Sequence, residues 1–266
     1  MHMRVSLAVC SVGAALLVLA PAVNGQSIAD HVDEIEDGKA RMSFAARPGV
    51  CGDGDKSVSF NDGRGWHVRH GEHGEDWESV CEHGPVRVVL RLRDGEVTDV
   101  DTYVGGRWRS PTSSTVDLGT VSAPDAARYL LTLARTANGD VGAEAIFPAM
   151  VADSVTVWPE LLDMAKDREL RESTRKGATF WLSQAAAEAA TRGLAEIAED
   201  ASGDRDIRMA AVFGLSQRPE DEGVPVLIRI ATTNDDPEIR KQALFWLCQS
   251  DDPRAIELFE ELLTKS

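Results

Sequence analysis

The chain has 266 residues, with 28 Lys+Arg against 44 Asp+Glu and a formal net charge of −16. So acidic a balance excludes a general nucleic-acid partner, because binding a phosphate backbone needs clustered cations that release counterions. An apolar share of 43% beside 27% charged residues belongs to a globular protein and excludes disorder throughout.

Residues 1–25 read as a secretory signal peptide: Arg4, an apolar run from Val5 to Ala20, then Pro21-Ala22-Val23-Asn24-Gly25 before Gln26. Cleavage is expected after Gly25, with Ala22 as the alternative. An uncleaved anchor is the competing reading, since the run approaches the length that spans a bilayer. Cys10 sits inside the run behind Val9, which is not a lipoprotein site. The expected protein is exported, periplasmic or extracellular, without a membrane span after cleavage. In such a compartment Cys51 and Cys81 are natural mates, and closing that loop stabilises by about 3–4 kcal/mol in the chain-entropy model. Cys248, in an apolar helical pattern, reads as a small buried residue.

Residues 26–37 are polar and acidic, a tether or at best a short helix. Residues 38–110 carry strand signals and are expected to form a small β-rich domain. Val86, Val88, Leu90 and Leu92 alternate with Arg87, Val89, Arg91 and Arg93, the period of a half-buried strand. Asp94-Gly95 turns the chain into Val97–Val104. Pairing Leu90 with Val100 and Arg91 with Asp99 keeps apolar residues on one face and opposite charges on the other. That register is expected from a three-residue loop, Asp94-Gly95-Glu96, with a bulge at Gly95. Residues 111–117, in the Pro/Ser/Thr-rich stretch after Arg109, read as a linker.

Residues 118–266 lack strand signals and show internal repetition. Thr174-Arg175-Lys176-Gly177-Ala178-Thr179-Phe180-Trp181-Leu182-Ser183-Gln184 aligns without gaps on segments starting at Ile207 and Ile239, 33 and 32 residues further on. A second helical pattern with a similar period lies between them, as Leu161…Met164-Ala165, Leu194…Ile197-Ala198 and Leu227…Ile230-Ala231. These first helices are expected to open near Pro124, Pro159, Pro225 and Pro253, and Asp236-Pro237 caps the helix at Ile239. Two helices sharing one period describe an α-solenoid.

Asp206-Ile207-Arg208…Ala211…Leu215 and Glu238-Ile239-Arg240…Ala243…Leu247 resemble the second helix of HEAT-like repeats, the short kind named after phycobilin lyases. The resemblance covers about 120–266, some four and a half repeats, and implies an α-solenoid of HEAT-like helical repeats. With the small disulfide-bridged β-rich domain in front, the expected fold is a multidomain α+β arrangement. One enzyme built on this repeat, deoxyhypusine hydroxylase, holds iron through His-Glu pairs inside its repeats. No histidine follows His83 here, so those ligands are absent, and no motif announces a tetrapyrrole pocket.

Two sets of candidate residues remain. His67, His70, His73 and His83 lie among Glu72, Glu75, Asp76 and Cys81, a composition that suits zinc, copper or nickel. Their Gly-rich, irregular spacing matches no closed metal site and reads equally as a solvated loop. Phe147, Phe180, Phe213 and Phe245 recur once per second helix, about 120° from the face of Ala211 and Leu215 on a helical wheel. Such a ladder either packs between repeats or lines a concave face that binds a partner. Trp181 and Trp246, with Gly214 between them, read as packing, and the acidic runs Glu199-Asp200, Glu220-Asp221-Glu222 and Asp235-Asp236 as solvated loops between helices. No phosphate loop and no nucleophile–base pair appears. The expected function is therefore a non-catalytic module without a cofactor that holds a protein or peptide through the four phenylalanines. The alternative is a periplasmic metal-binding protein using the four histidines.

Overall fold

The computed structural model describes residues 27–55, 58–60, 66–68, 81–185 and 187–264; the leader expected at 1–25 lies outside them. A strand-rich N-terminal region with a Cys51–Cys81 disulfide, Cα–Cα 5.3 Å, precedes a run of paired helices. Strands β1 (Gly38–Phe44), β5 (Val86–Arg93), β6 (Glu96–Val104) and β7 (Thr115–Thr120) form one sheet in the order β6-β5-β1-β7. The short strands β2 (Val50–Gly52), β3 (Val58–Phe60) and β4 (Trp66–Val68) form another, and Gly52 also bridges to Glu82 beside the disulfide.

The β5–β6 hairpin has the expected pairing, Leu90 with Val100 and Arg91 with Asp99, but reaches it differently. Arg93 pairs with Glu96, so the loop is two residues, Asp94-Gly95, with φ 52° and 74°. A turn with both central residues at positive φ matches strand twist, and the extra residue is absorbed as a bulge at Thr98, whose hydroxyl donates to the Arg91 carbonyl at 3.3 Å. The stretch expected to be a linker is not one throughout, because β7 pairs parallel to β1 through Lys39–Thr115 and Arg41–Asp117.

Of the two readings of residues 26–37, tether or short helix, the second holds, as helix α1 (Ile28–Asp33). Ser27 and Asp30 form a reciprocal capping box, and Val32 and Ile35 are buried. The remaining helices alternate in pairs: α2 (Ala123–Thr136) with α3 (Val141–Met150), α4 (Trp158–Lys166) with α5 (Glu172–Ser183), α6 (Glu188–Glu199) with α7 (Arg205–Ser216), and α8 (Glu220–Thr233) with α9 (Pro237–Leu247), followed by α10 (Pro253–Thr264). Pro225 lies inside α8 rather than at its start. Glu220, Asp221 and Glu222 are not a loop but the first turn of that helix, where carboxylates favour the positive end of the dipole. Asp236 likewise caps α9 by accepting from the Glu238 N–H at 3.0 Å.

Apolar faces repeat as the period demands: Leu161, Met164, Leu194, Ile230, Leu182, Leu215 and Ile239 are fully buried, each stabilising by about 1.5–3 kcal/mol relative to exposure. The β-rich region and the helices do not keep separate cores. Met42, Phe44, Val88 and Leu90 belong to one buried cluster with Leu130, Ile146 and the solenoid interior. Backbone bonds seal the join: Arg47 N–H donates to the Val151 carbonyl at 2.9 Å and Asp153 N–H to that of Ala45 at 2.9 Å. Glu144 of α3 accepts from the Val100 N–H at 3.1 Å, and burial pushes its carboxyl above the ordinary range.

Candidate functional site

Phe147 and Phe213 each meet the tryptophan of the following repeat, and Phe180 and Phe245 the tryptophan beside them in their own helix. Phe147 stacks on Trp181 with centroids 5.0 Å apart, and Phe180 meets the same indole edge-on at 5.0 Å. Phe213 and Phe245 flank Trp246 in the same way, each at 5.0 Å. Gly214 occupies the tryptophan position in α7, and a Cβ there would sit 3.0 Å from Leu194 and 3.2 Å from Ser183. Two phenylalanines therefore gather around each indole, with the close approach at Gly214 between them in sequence. Phe147 and Phe180 pack against the core, Phe213 is half-buried, and Phe245 is 53% exposed. Trp181 is buried and Trp246 half-buried.

The helix ends beside these rings are built alike. The Ser183 hydroxyl donates to the Phe180 carbonyl at 2.6 Å and receives the Gln184 amide; Ser216, Phe213 and Gln217 repeat the arrangement. Cys248 takes the serine's place in α9 and is exposed, not buried as expected. Its position is the C-cap of the last second helix, where the apolar pattern has already ended.

Arginines in matching register tie repeat to repeat. Arg175 pairs with Asp204 at 2.5 Å; Arg208 donates to the Ala198 carbonyl at 3.1 Å, to Asn234 at 3.1 Å and to Asp236 at 3.3 Å. Arg218, with 3% of its side chain exposed, reaches Thr191 at 2.8 Å, the carbonyls of Ser183, Ala185 and Ala187, and Glu222 at 2.9 Å. The sequence reading assigned these arginines no role, although Arg175, Arg208 and Arg240 fall in one column of the repeat.

Of the four histidines, His70 and His73 lie outside the described residues, as does the side chain of His67, whose backbone pairs with Ser59 in β4. His83 is exposed, with Nδ1 3.1 Å from the Val50 carbonyl oxygen. Among the described residues no group of three His, Cys, Asp or Glu is placed to hold a metal ion.

The outer face of the larger sheet was missed as a site. Its strand pairs place Lys39 beside Arg91, Arg41 beside Val89 and Ser43 beside Arg87. The chain after β6 folds back over them through Gly105 and Gly106, both at positive φ, with the Gly106 Cβ position 2.7 Å from the Gly54 Cα. This brings Trp108 to 4.9 Å from the Arg41 guanidinium and 5.7 Å from that of Arg87. Arg41 donates to Asp117 at 2.6 Å and to the Arg109 carbonyl at 2.7 Å, and this hydrogen bond holds the Asp117 carboxyl below its usual range. Arg91 pairs with Asp99 at 2.8 Å and Asp101 at 2.5 Å. An open cavity of about 580 Å³ lies against these groups. The alternation in β5 announced a polar face, and Arg107-Trp108-Arg109 was the signal that it is covered.

No curated protein matches the chain. Residues 191–266 match the family model of HEAT repeats, which takes in α7 to α10 and most of α6. Over residues 191–266 the chain is thus similar to HEAT repeats, and the helix pairs before them, α2 with α3 and α4 with α5, repeat the same arrangement.

Proposed function

We propose that the protein is an exported, non-catalytic interaction module holding a protein or peptide partner on the face built by α3, α5, α7 and α9. The observation that carries this reading is the aromatic run along that face, ending in the exposed Phe245 against Trp246. Rigid aromatic side chains that are already ordered lose little freedom on binding and dominate interface energetics. HEAT repeats commonly mediate protein interaction, which supports the same class of function. Export rests on the pattern of residues 1–25 and accords with the Cys51–Cys81 disulfide. No helix among the described residues is long and apolar enough to cross a membrane.

Cross-linked capture from the envelope fraction of the producing cell tests the proposal, with wild type and Phe245→Asp as baits. Phe245 is half exposed, so the fold is expected to survive this change with a loss of no more than about 1.5 kcal/mol from its contact with Trp246, checked by circular dichroism and urea unfolding. A protein held by the wild type and lost by the variant supports the aromatic face. Capture of the same proteins by both baits, or of none, removes that face from the function.

A further inference from the structure

We propose that the outer face of the β6-β5-β1-β7 sheet binds a small ligand through a phosphate or sulfate group. Six cationic side chains, Lys39, Arg41, Arg87, Arg91, Arg107 and Arg109, line the cavity, against two carboxylates, Asp55 and Asp101. In a chain of net charge −16 this concentration of positive charge needs a cause. Arg41 and Arg91 are matched by Asp117, Asp99 and Asp101. Among the described residues Lys39, Arg107 and Arg109 form no ion pair with a carboxylate; Arg87 donates to the carbonyls of Pro85 and Gly105 and feels the charge of Glu82.

Arg41 Nε, Arg87 Nε and Trp108 Nε1 are buried N–H donors without an acceptor, as are Arg175 Nε and Trp246 Nε1 in the solenoid, and being buried they belong to the wall and do not meet a ligand. The charge open to the cavity comes from the exposed Lys39, Arg107 and Arg109, which pair with no carboxylate among the described residues. A single carboxylate supplies one charge, whereas a phosphate or sulfate presents several oxygens to groups approaching from β1, β5 and the 105–112 segment. Guanidinium forks suit those oxygens. The cavity lies within the range of about 300–1,000 Å³ that takes small molecules, and Trp108, Tyr103, Val89 and Pro111 give it apolar walls. Acidic surface elsewhere repels an extended polyanion, which limits the ligand to a compact one.

The test is calorimetric titration of the full chain at fixed ionic strength with inorganic phosphate, phenyl phosphate, sulfate and succinate. Saturable one-site uptake of a phosphate or sulfate species is expected, weakened about tenfold by Arg87→Gln, as loss of one charge-assisted contact implies. Arg87 also holds the Gly105 carbonyl, so the double change Lys39→Gln with Arg107→Gln, at exposed positions, provides a weakening that a loosened loop does not explain. Phe245→Asp leaves the uptake unchanged. Tighter binding of phenyl phosphate than of inorganic phosphate identifies an ester as the ligand, and equal binding identifies the free anion; either supports the site. Absence of saturable uptake, preference for succinate, or uptake that survives both sets of substitutions overturns it.

Discussion

Arg208 and Arg218 of the solenoid and Arg87 of the sheet are the same residue matched to different degrees, with Arg175, whose Nε is also unmatched, between them. In the repeats Arg208 and Arg218 are buried with each nitrogen matched to a carbonyl, hydroxyl, amide or carboxylate from a neighbouring loop or helix. On the sheet Arg87 keeps an unmatched Nε, and Lys39, Arg107 and Arg109 share the cavity with Asp55 and Asp101 but form no ion pair among the described residues. A buried cation whose partners are all internal holds repeats in register. Cations gathered around a cavity with donors to spare are arranged for something from outside.

That contrast breaks first at Arg218. Arg218→Ala takes a donor from the carbonyls of Ser183, Ala185 and Ala187 and the cation from Glu222, which keeps the Thr191 hydroxyl, and urea unfolding is expected to show a loss of about 3–5 kcal/mol. Arg208→Ala removes a similar hub whose partner Asp236 is also held by Arg205 at 3.4 Å, so a smaller loss of about 2–3 kcal/mol is expected in the same measurement. If both changes are neutral, the solenoid arginines are not what sets the register.

Acid sharpens the comparison from the carboxylate side. The Arg254 hydrogen bond lowers Asp252 from the ordinary 3.8 to about 2, and the Arg41 hydrogen bond lowers Asp117. A carboxyl whose folded value lies below its unfolded value stabilises the fold above the ordinary range and loses that contribution as pH falls. Stability is expected to drop from about pH 4 toward pH 2, and Asp252→Asn to flatten that slope; an unchanged slope in the variant contradicts the pairing. The smallest effect belongs to the sheet: Lys39→Gln with Arg107→Gln should shift unfolding by no more than about 0.5 kcal/mol. A large loss there makes those cations structural and removes the contrast.

Much of the architecture was legible because its signals are local. The repeat period, the cap at Asp236, the pairing of Leu90 with Val100 and the Cys51–Cys81 bridge all follow from spacing along the chain. The phenylalanine ladder was visible too, but its division was not. Which indole a ring meets depends on the side chain one repeat later, and Gly214 reads on paper as a gap when it is a point of close helix approach. Cys248 was misread because an apolar periodicity carries no mark of where the helix ends.

Periodicity and turn chemistry act over a few residues, and they were enough to place a helical repeat array behind a disulfide-bridged strand region. That the two share one core, that 115–120 is a strand, and that Arg41, Arg87 and Trp108 converge came from the folded chain. The difference is one of range. β7 is short and polar, with no apolar alternation of its own, and becomes a strand by finding the free edge of β1. Arg41 meets the Arg109 carbonyl across 68 residues, through a fold-back that two glycines permit and no local pattern announces.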